Sequence, residues 1–174
     1  MIFTIRKAIP SDAAAIARVQ VASWRSSYQG LVHARYLEAL DAEEKTLQWQ
    51  LRLEQGIGVF YIAEDVDSIF GFLAGGAIRK HIEGYDAEVY ALYLLDEKQE
   101  FGAGKALICA FAQQLKLEDY KSIAVWVLAG NPARGFYEKL GGLLIARDEI
   151  EIGGESIPEV AYGWPSISAL IDLK

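Results

Sequence analysis

The sequence predicts an α/β (α+β) fold, a mixed central β-sheet flanked by helices. Three observations predict it. Seven runs rich in β-branched and aromatic residues are bounded by Gly, Asp and Ser turn signals. Between them lie stretches whose apolar residues recur at helical spacing. The strand–helix–strand segment from Ala87 to Leu128 needs a crossover, so its two strands should run parallel with a right-handed connection.

The elements follow in chain order. Ile2 to Lys7 reads as a first strand. Pro10-Ser11-Asp12 announces a helix, with Ser11 or Asp12 at the cap, and Ala13, Ile16, Ala17, Gln20 and Trp24 share one face. Gly30 ends it. A second helical region covers about His33 to Gln55 in two pieces around Asp41, with Leu37, Leu40, Leu47 and Leu51 expected to face inward. Val59–Ala63 and Ile69–Ala77 flank the acidic turn Glu64-Asp65-Val66-Asp67-Ser68, a hairpin. Ala87–Leu95 is a third long strand, followed by a Gly-rich turn and a helix from about Ala103 to Leu117. Ser122–Leu128 is another strand. Asn131-Pro132 opens a helix with Asn at the cap, and Gly141-Gly142 stops it. Two final strands, Leu143–Ile152 and Ser156–Tyr162, flank the hairpin loop Gly153-Gly154-Glu155.

Composition narrows the function. A chain of 174 residues, 52% hydrophobic, suits one compact domain over residues 1–174. No apolar run is long enough to span a bilayer, and the N-terminus lacks the order of a secretory signal. No membrane partner and a cytoplasmic location are therefore expected. Cys109 is the sole cysteine and His33 and His81 the only histidines, so no Cys/His metal cluster is expected. The formal net charge of −7 disfavours nucleic acid, whose binding rests on Lys and Arg.

The stretch from Tyr93 to Lys105 carries the chemistry. A strand ends, a loop turns, and a helix begins at Gly102 and Gly104. A helix N-terminus presents unpaired N–H groups and the positive end of its dipole, and glycine lets a bulky anion approach the backbone. A phosphate or pyrophosphate is the natural ligand. A nucleotide-using P-loop is disfavoured, because no Gly-Lys-Ser/Thr follows at the required spacing.

Gln99-x-x-Gly102-x-Gly104 after a strand resembles the acyl-CoA pyrophosphate loop of the GNAT (GCN5-related N-acetyltransferase) superfamily. Asn131-Pro132-Ala133-Arg134-Gly135-Phe136-Tyr137-Glu138-Lys139-Leu140-Gly141 resembles its downstream Asn followed by Phe-Tyr-Glu-Lys-Leu-Gly. The element order matches over nearly the whole chain. Three positions depart from the pattern. Asn131 stands six residues before Tyr137 rather than seven, Gly142 replaces a Phe, and Phe101 replaces a basic residue.

The resemblance implies an N-acetyltransferase with acetyl-CoA as cosubstrate and an amine of a small molecule or peptide as acceptor. Relatives are often dimers, which implies a homodimer. It also implies roles. The backbone of Leu92 and Leu94 would pair with the pantetheine arm. Gln99 belongs to the pyrophosphate loop, and the amides of Glu100, Phe101, Gly102, Ala103, Gly104 and Lys105 would cradle the diphosphate. Asn131 would bond the pantetheine or thioester region. Tyr137 would protonate the departing thiolate, and the Leu94 N–H would receive the oxyanion. Glu88, at the spacing where some members place a glutamate, would be the general base, with a water relay as the alternative. Tyr90, on the face of Glu88 by period two, and Trp24, Tyr28 and His33 at the end of the first helix are candidate acceptor contacts. Trp24 also fits core packing, and Trp126 reads as core. A non-catalytic acyl-CoA sensor or interaction module on the same scaffold is the alternative function.

Overall fold

The computed structural model describes residues 2–171 and Leu173. Seven strands form one sheet in the order β1-β2-β3-β4-β5-β7-β6. They are β1 (Thr4–Lys7), β2 (Val59–Glu64), β3 (Ile69–Ala77), β4 (Ala87–Leu94), β5 (Ile123–Leu128), β6 (Leu143–Ile152) and β7 (Glu155–Trp164). All neighbours are antiparallel except β4 and β5, which run parallel as the crossover requires. The crossover is α4 (Ala103–Leu117). The other helices are α1 (Ala13–Ser27), α2 (Ala34–Glu38), α3 (Ala42–Gln55), α5 (Arg134–Lys139) and α6 (Ser168–Ile171), the last with no counterpart in the sequence reading.

Each face of the sheet has its own core. On one, Leu107, Ile108, Phe111 and Leu115 of α4 pack with Phe70, Leu73, Val89, Val125, Tyr162 and Trp164. On the other, Ala13, Ile16, Ala17 and Val19 of α1 and Trp49 and Leu53 of α3 pack with Ile62, Phe72 and Ala74. Leu47 and Leu51 do not face inward as expected; they are 64% and 59% exposed. Trp49 and Leu53, one turn apart, take the buried face instead, and Trp49 Nε1 donates to Gln20 Oε1 at 2.7 Å. Leu47 and Leu51 stand two residues away, on the opposite side of the helix.

Local signals set the ends. Asp41 Oδ1 accepts from Glu43 N and Glu44 N to cap α3, and Gly56 closes it with φ +63°. Asp12 stands at the N-cap position of α1 as expected, but its side chain makes no cap bond to the helix; it takes both Arg6 Nη atoms and the Ile9 N–H instead, while Arg6 also reaches Glu64. Arg6 holds the Asp12 carboxyl below its ordinary range. The helix expected at Asn131 begins later, at Arg134. Asn131 Oδ1 accepts from Ala133 N at 2.9 Å, an Asx turn that precedes it. Gly153 and Gly154, with φ +61° and +83°, make the tight β6–β7 turn.

One irregularity positions the site. Ala74 pairs with Ala91 but Gly75 pairs with Val89, so Tyr90 is an extra residue in β4. A bulge of this kind bends its strand. Parallel pairing of β4 with β5 is accordingly short: Ala87↔Ile123, Glu88↔Ala124 and Val89↔Val125. Beyond it β4 pairs only with β3, and β5 only with β7. A wedge opens through the sheet between them.

Gly75 permits the bulge. A Cβ there would lie 2.4 Å from Phe111 Cζ and 2.6 Å from the Glu88 carbonyl oxygen. Gly75→Ala is therefore expected to destabilise the protein by about 1–3 kcal/mol, since neither backbone nor packed ring can retreat freely. A urea unfolding midpoint equal to that of the parent would contradict the crowding.

Candidate active site

The wedge is the heart of a cleft of about 1130 Å³. Its walls are β4 from Val89 to Leu94, β5 from Val125 to Val127, the turn from Gln99 to the start of α4, the segment from Gly130 to Tyr137, and the exit of α1.

The β4 edge is unpaired here. Leu95 N donates to Phe70 O in β3 at 2.9 Å. Backbone groups alternate sides along a strand, so those of Leu92 and Leu94 turn away from β3 and into the wedge. Ser23 Oγ, from α1, donates to Leu94 O at 3.0 Å. That leaves the Leu94 N–H as the open donor of this residue.

The turn at the strand end is held from three sides. Asp96 Oδ1 accepts from Ser26 Oγ and Gln99 Nε2, both at 3.1 Å. Lys98 Nζ reaches Asp65 Oδ2 in the β2–β3 turn at 2.6 Å, which lowers the Asp65 pKa to about 2. Glu100 and Gly102 adopt left-handed φ of +66° and +86°, conformations that turn successive N–H groups toward one point. The first amides of α4, at Ala103 and Gly104, have no carbonyl one turn earlier. Open space lies where a Gly102 side chain would stand, and Gly104 is packed by Phe136. Phe101 does not line the cleft and is 53% exposed. Lys105, in the first turn of α4, and Lys139, at the end of α5, do line it.

Tyr137 projects from α5 into the wedge, buried between Phe136, Tyr162 and Trp164. Burial raises its pKa. Its hydroxyl makes no hydrogen bond to any described residue. Asn131 lines the cleft with one side of its carboxamide spent on the turn.

The candidates on β4 fare differently. Glu88 is 1% exposed and does not line the cleft; Arg79 holds both its oxygens, through N at 3.0 Å and Nη2 at 2.5 Å. The expected free base is thus a carboxylate already paired. Tyr90 lines the cleft, but its ring lies under the Arg79 guanidinium and its hydroxyl donates to Ala77 O at 2.5 Å. Period two across Glu88 and Tyr90 fails because the bulge lies between them.

Tyr28 lines the cleft and shares a 3.2 Å hydroxyl contact with Tyr93. Burial raises the pKa of both. Trp24 stands behind them, ring against Tyr28 and Tyr93, outside the cleft. His33 caps α2 and is likewise outside. Sequence reasoning missed Ser23, Tyr93, Trp126 and Lys139. Trp126 lines the cleft instead of the core, with Lys80 Nζ 4.4 Å from its ring. Lys80 in turn pairs with Asp148 and Glu159.

No group of His, Cys, Asp and Glu able to hold a metal occurs among the described residues. No helix of the described residues is long and apolar enough to cross a membrane.

Comparison with known proteins agrees with this geometry. The family described as FR47-like protein matches residues 69–150, which include β3, β4, the turn and α4. YuaI of Bacillus subtilis (strain 168), described as an uncharacterized N-acetyltransferase, is 41% identical over 167 residues, covering 96% of this chain and 95% of its own. The chain belongs to the GNAT superfamily. As a GNAT protein it is an enzyme of the acyltransferase class. The PaiA N-acetyltransferase of Thermoplasma acidophilum, solved in complex with coenzyme A, is 25% identical with a TM-score of 0.70, over 91% of this chain and 98% of that one. YncA of Salmonella typhimurium, described as a putative acetyltransferase and solved with acetyl-CoA, shares the GNAT fold: 17% identity, TM-score 0.67, 93% and 92% coverage.

Proposed function

We propose that this chain transfers an acetyl group from acetyl-CoA to a primary amine by direct attack. One observation carries the reading: a single cleft joins the bare amides at Gly102–Gly104 to the unpartnered hydroxyl of Tyr137 along an open strand edge. The described residues fit the donor. The amide turn, with Lys105 in the first turn of α4, suits a diphosphate. The edges of Leu92 and Leu94 suit an extended amide-bearing arm, added like a strand. The gap where a Gly102 Cβ would stand leaves room for phosphate oxygens.

The chemistry follows from what each residue can do. A primary amine attacks only when neutral, although its ordinary pKa is about 10. Nitrogen adds to the thioester carbonyl, and the Leu94 N–H donates to the oxyanion. The carbon–sulfur bond then breaks, and Tyr137 gives its proton to the thiolate. Burial keeps Tyr137 protonated, so it enters each turnover as an acid. The proton lost by nitrogen leaves through a water relay rather than directly to Glu88. The support for this is that Arg79 occupies both Glu88 oxygens and that Glu88 does not reach the cleft. Glu88 acts through the Arg79–Tyr90 stack that fixes the bulge.

Tyr137→Phe is expected to lower kcat by about 100-fold while the Kd for coenzyme A stays within about threefold. Any alkaline limb due to Tyr137 in the pH–rate profile should lie above the ordinary tyrosine value of about 10, because its pKa is raised. Lost coenzyme A binding with unchanged turnover of the bound complex would overturn the acid role. Acetyl-CoA binding without acetylation of any amine would favour a sensor.

Gly102→Val is expected to weaken coenzyme A binding about tenfold or more, measured by calorimetry. A β-branched residue is strained at φ +86°, and its methyl groups would enter the space left for phosphate. An unchanged Kd would refute the amide cradle.

A further inference from the structure

Tyr137 stands on a helix too short to hold its own shape. α5 spans six residues, and an isolated helix of that length is marginal in water. Its orientation therefore comes from the elements around it. Arg134, at its start, sends Nη1 to Ala129 O just beyond β5 and Nε to the Tyr162 hydroxyl in β7, both at 3.0 Å. The same hydroxyl donates to Glu138 Oε1, one turn further along α5. Tyr162 thus grips the helix at two points, accepting from one residue and donating to the other. Its ring, 2% exposed, stacks on the Tyr137 ring, with centroids 6.3 Å apart and planes 28° apart. Trp164 supports the same helix through Nε1 to Leu140 O at 2.9 Å, but it meets the Tyr137 ring edge to face. Arg134, Glu138 and Tyr162 do not line the cleft.

We infer that Tyr162 is a positioning residue for acetyl transfer: bonded to Arg134 and Glu138 through its hydroxyl, it sets the angle at which Tyr137 meets the thioester. The inference rests on the acid role of Tyr137. Both partners of the Tyr162 hydroxyl are charged, and hydrogen bonds to ionised groups are stronger than neutral ones. A reacting group misplaced by about 1 Å can cost ~100-fold in rate. Ordinary core packing makes a different forecast. Tyr162→Phe keeps the ring and its stack and removes only the hydroxyl. The side chains of Arg134 and Glu138 are 35% and 54% exposed, so water can satisfy them once the hydroxyl is gone. Packing alone would then leave the rate unchanged.

The test compares the full-length parent with Tyr162→Phe, Tyr137→Phe and the double variant. The probes are acetyl-CoA and hydroxylamine, an amine small enough to enter the cleft whatever the natural acceptor. Tyr162→Phe is expected to lower kcat about tenfold while KM for acetyl-CoA stays within about threefold. In the Tyr137→Phe background the same substitution should change kcat by less than about twofold, because the group it positions is gone. Glu138→Ala should reproduce the loss, and Glu138→Gln, which keeps an acceptor, should restore most of it. An unchanged kcat in Tyr162→Phe, or equal losses in both backgrounds, overturns the inference and leaves the acid role standing. Equal rates in the two Glu138 variants overturn it as well, and that comparison holds even if Tyr162→Phe does not fold. A Tyr137→Phe enzyme as fast as the parent overturns the acid role and the inference with it. A parent that releases no coenzyme A contradicts acetyl transfer itself.

Discussion

Strands β4 and β5 pair at three positions and then part, and almost everything else in the molecule answers to that parting. A buried strand edge with no partner carries unmet N–H and C=O groups, a costly arrangement that invites another chain to complete it. The bulge at Tyr90 creates the edge. Gly75 gives it room, and the Arg79 guanidinium, lodged between the Tyr90 ring and the Glu88 carboxylate, locks it. Glu88 thereby contributes to shape. The Glu88–Arg79 pair is buried on one side only, since the Arg79 side chain is 60% exposed, so its contribution lies in geometry more than in net stability.

The parting also divides the chemistry between two faces. α4 starts where β4 ends, and its unmet amides face the same gap as the open edge. α5 brings Tyr137 to the middle of the wedge, and the exit of α1 closes the far side with Tyr28. Ser23 and Ser26 tie α1 to the end of β4 and to the turn. Lys98, in the turn itself, is spent on Asp65 and acts as a strut between two loops.

Much of this was legible in the sequence because period and punctuation are local properties. All seven strands, the parallel crossover and the glycine turn follow from runs, caps and loop lengths. The failures have physical causes. Leu47 and Leu51 are good helix formers, but the large ring of Trp49 decided which face of α3 is buried. The bulge at Tyr90 leaves no mark in the residue pattern, so the period-two link from Glu88 to Tyr90 failed with it. Arg79 reaches Glu88 across a loop, a contact set by tertiary structure. Trp126 and Tyr93 read as ordinary strand aromatics, and only the parting of the strands turns them into walls. Leu92, Leu94, Gln99, Gly102, Gly104, Asn131 and Tyr137, which the resemblance singled out by their offsets from the turn, all line the cleft.

The open edge of β4 is most directly tested by amide hydrogen exchange, residue by residue, with and without coenzyme A. The account predicts that Leu92 and Leu94 exchange faster than Tyr93 and Leu95 in the free protein, and that coenzyme A protects them together with Ala103 and Gly104. Protection of Leu92 and Leu94 before any ligand is added, or coenzyme A binding that leaves their exchange untouched, would contradict it.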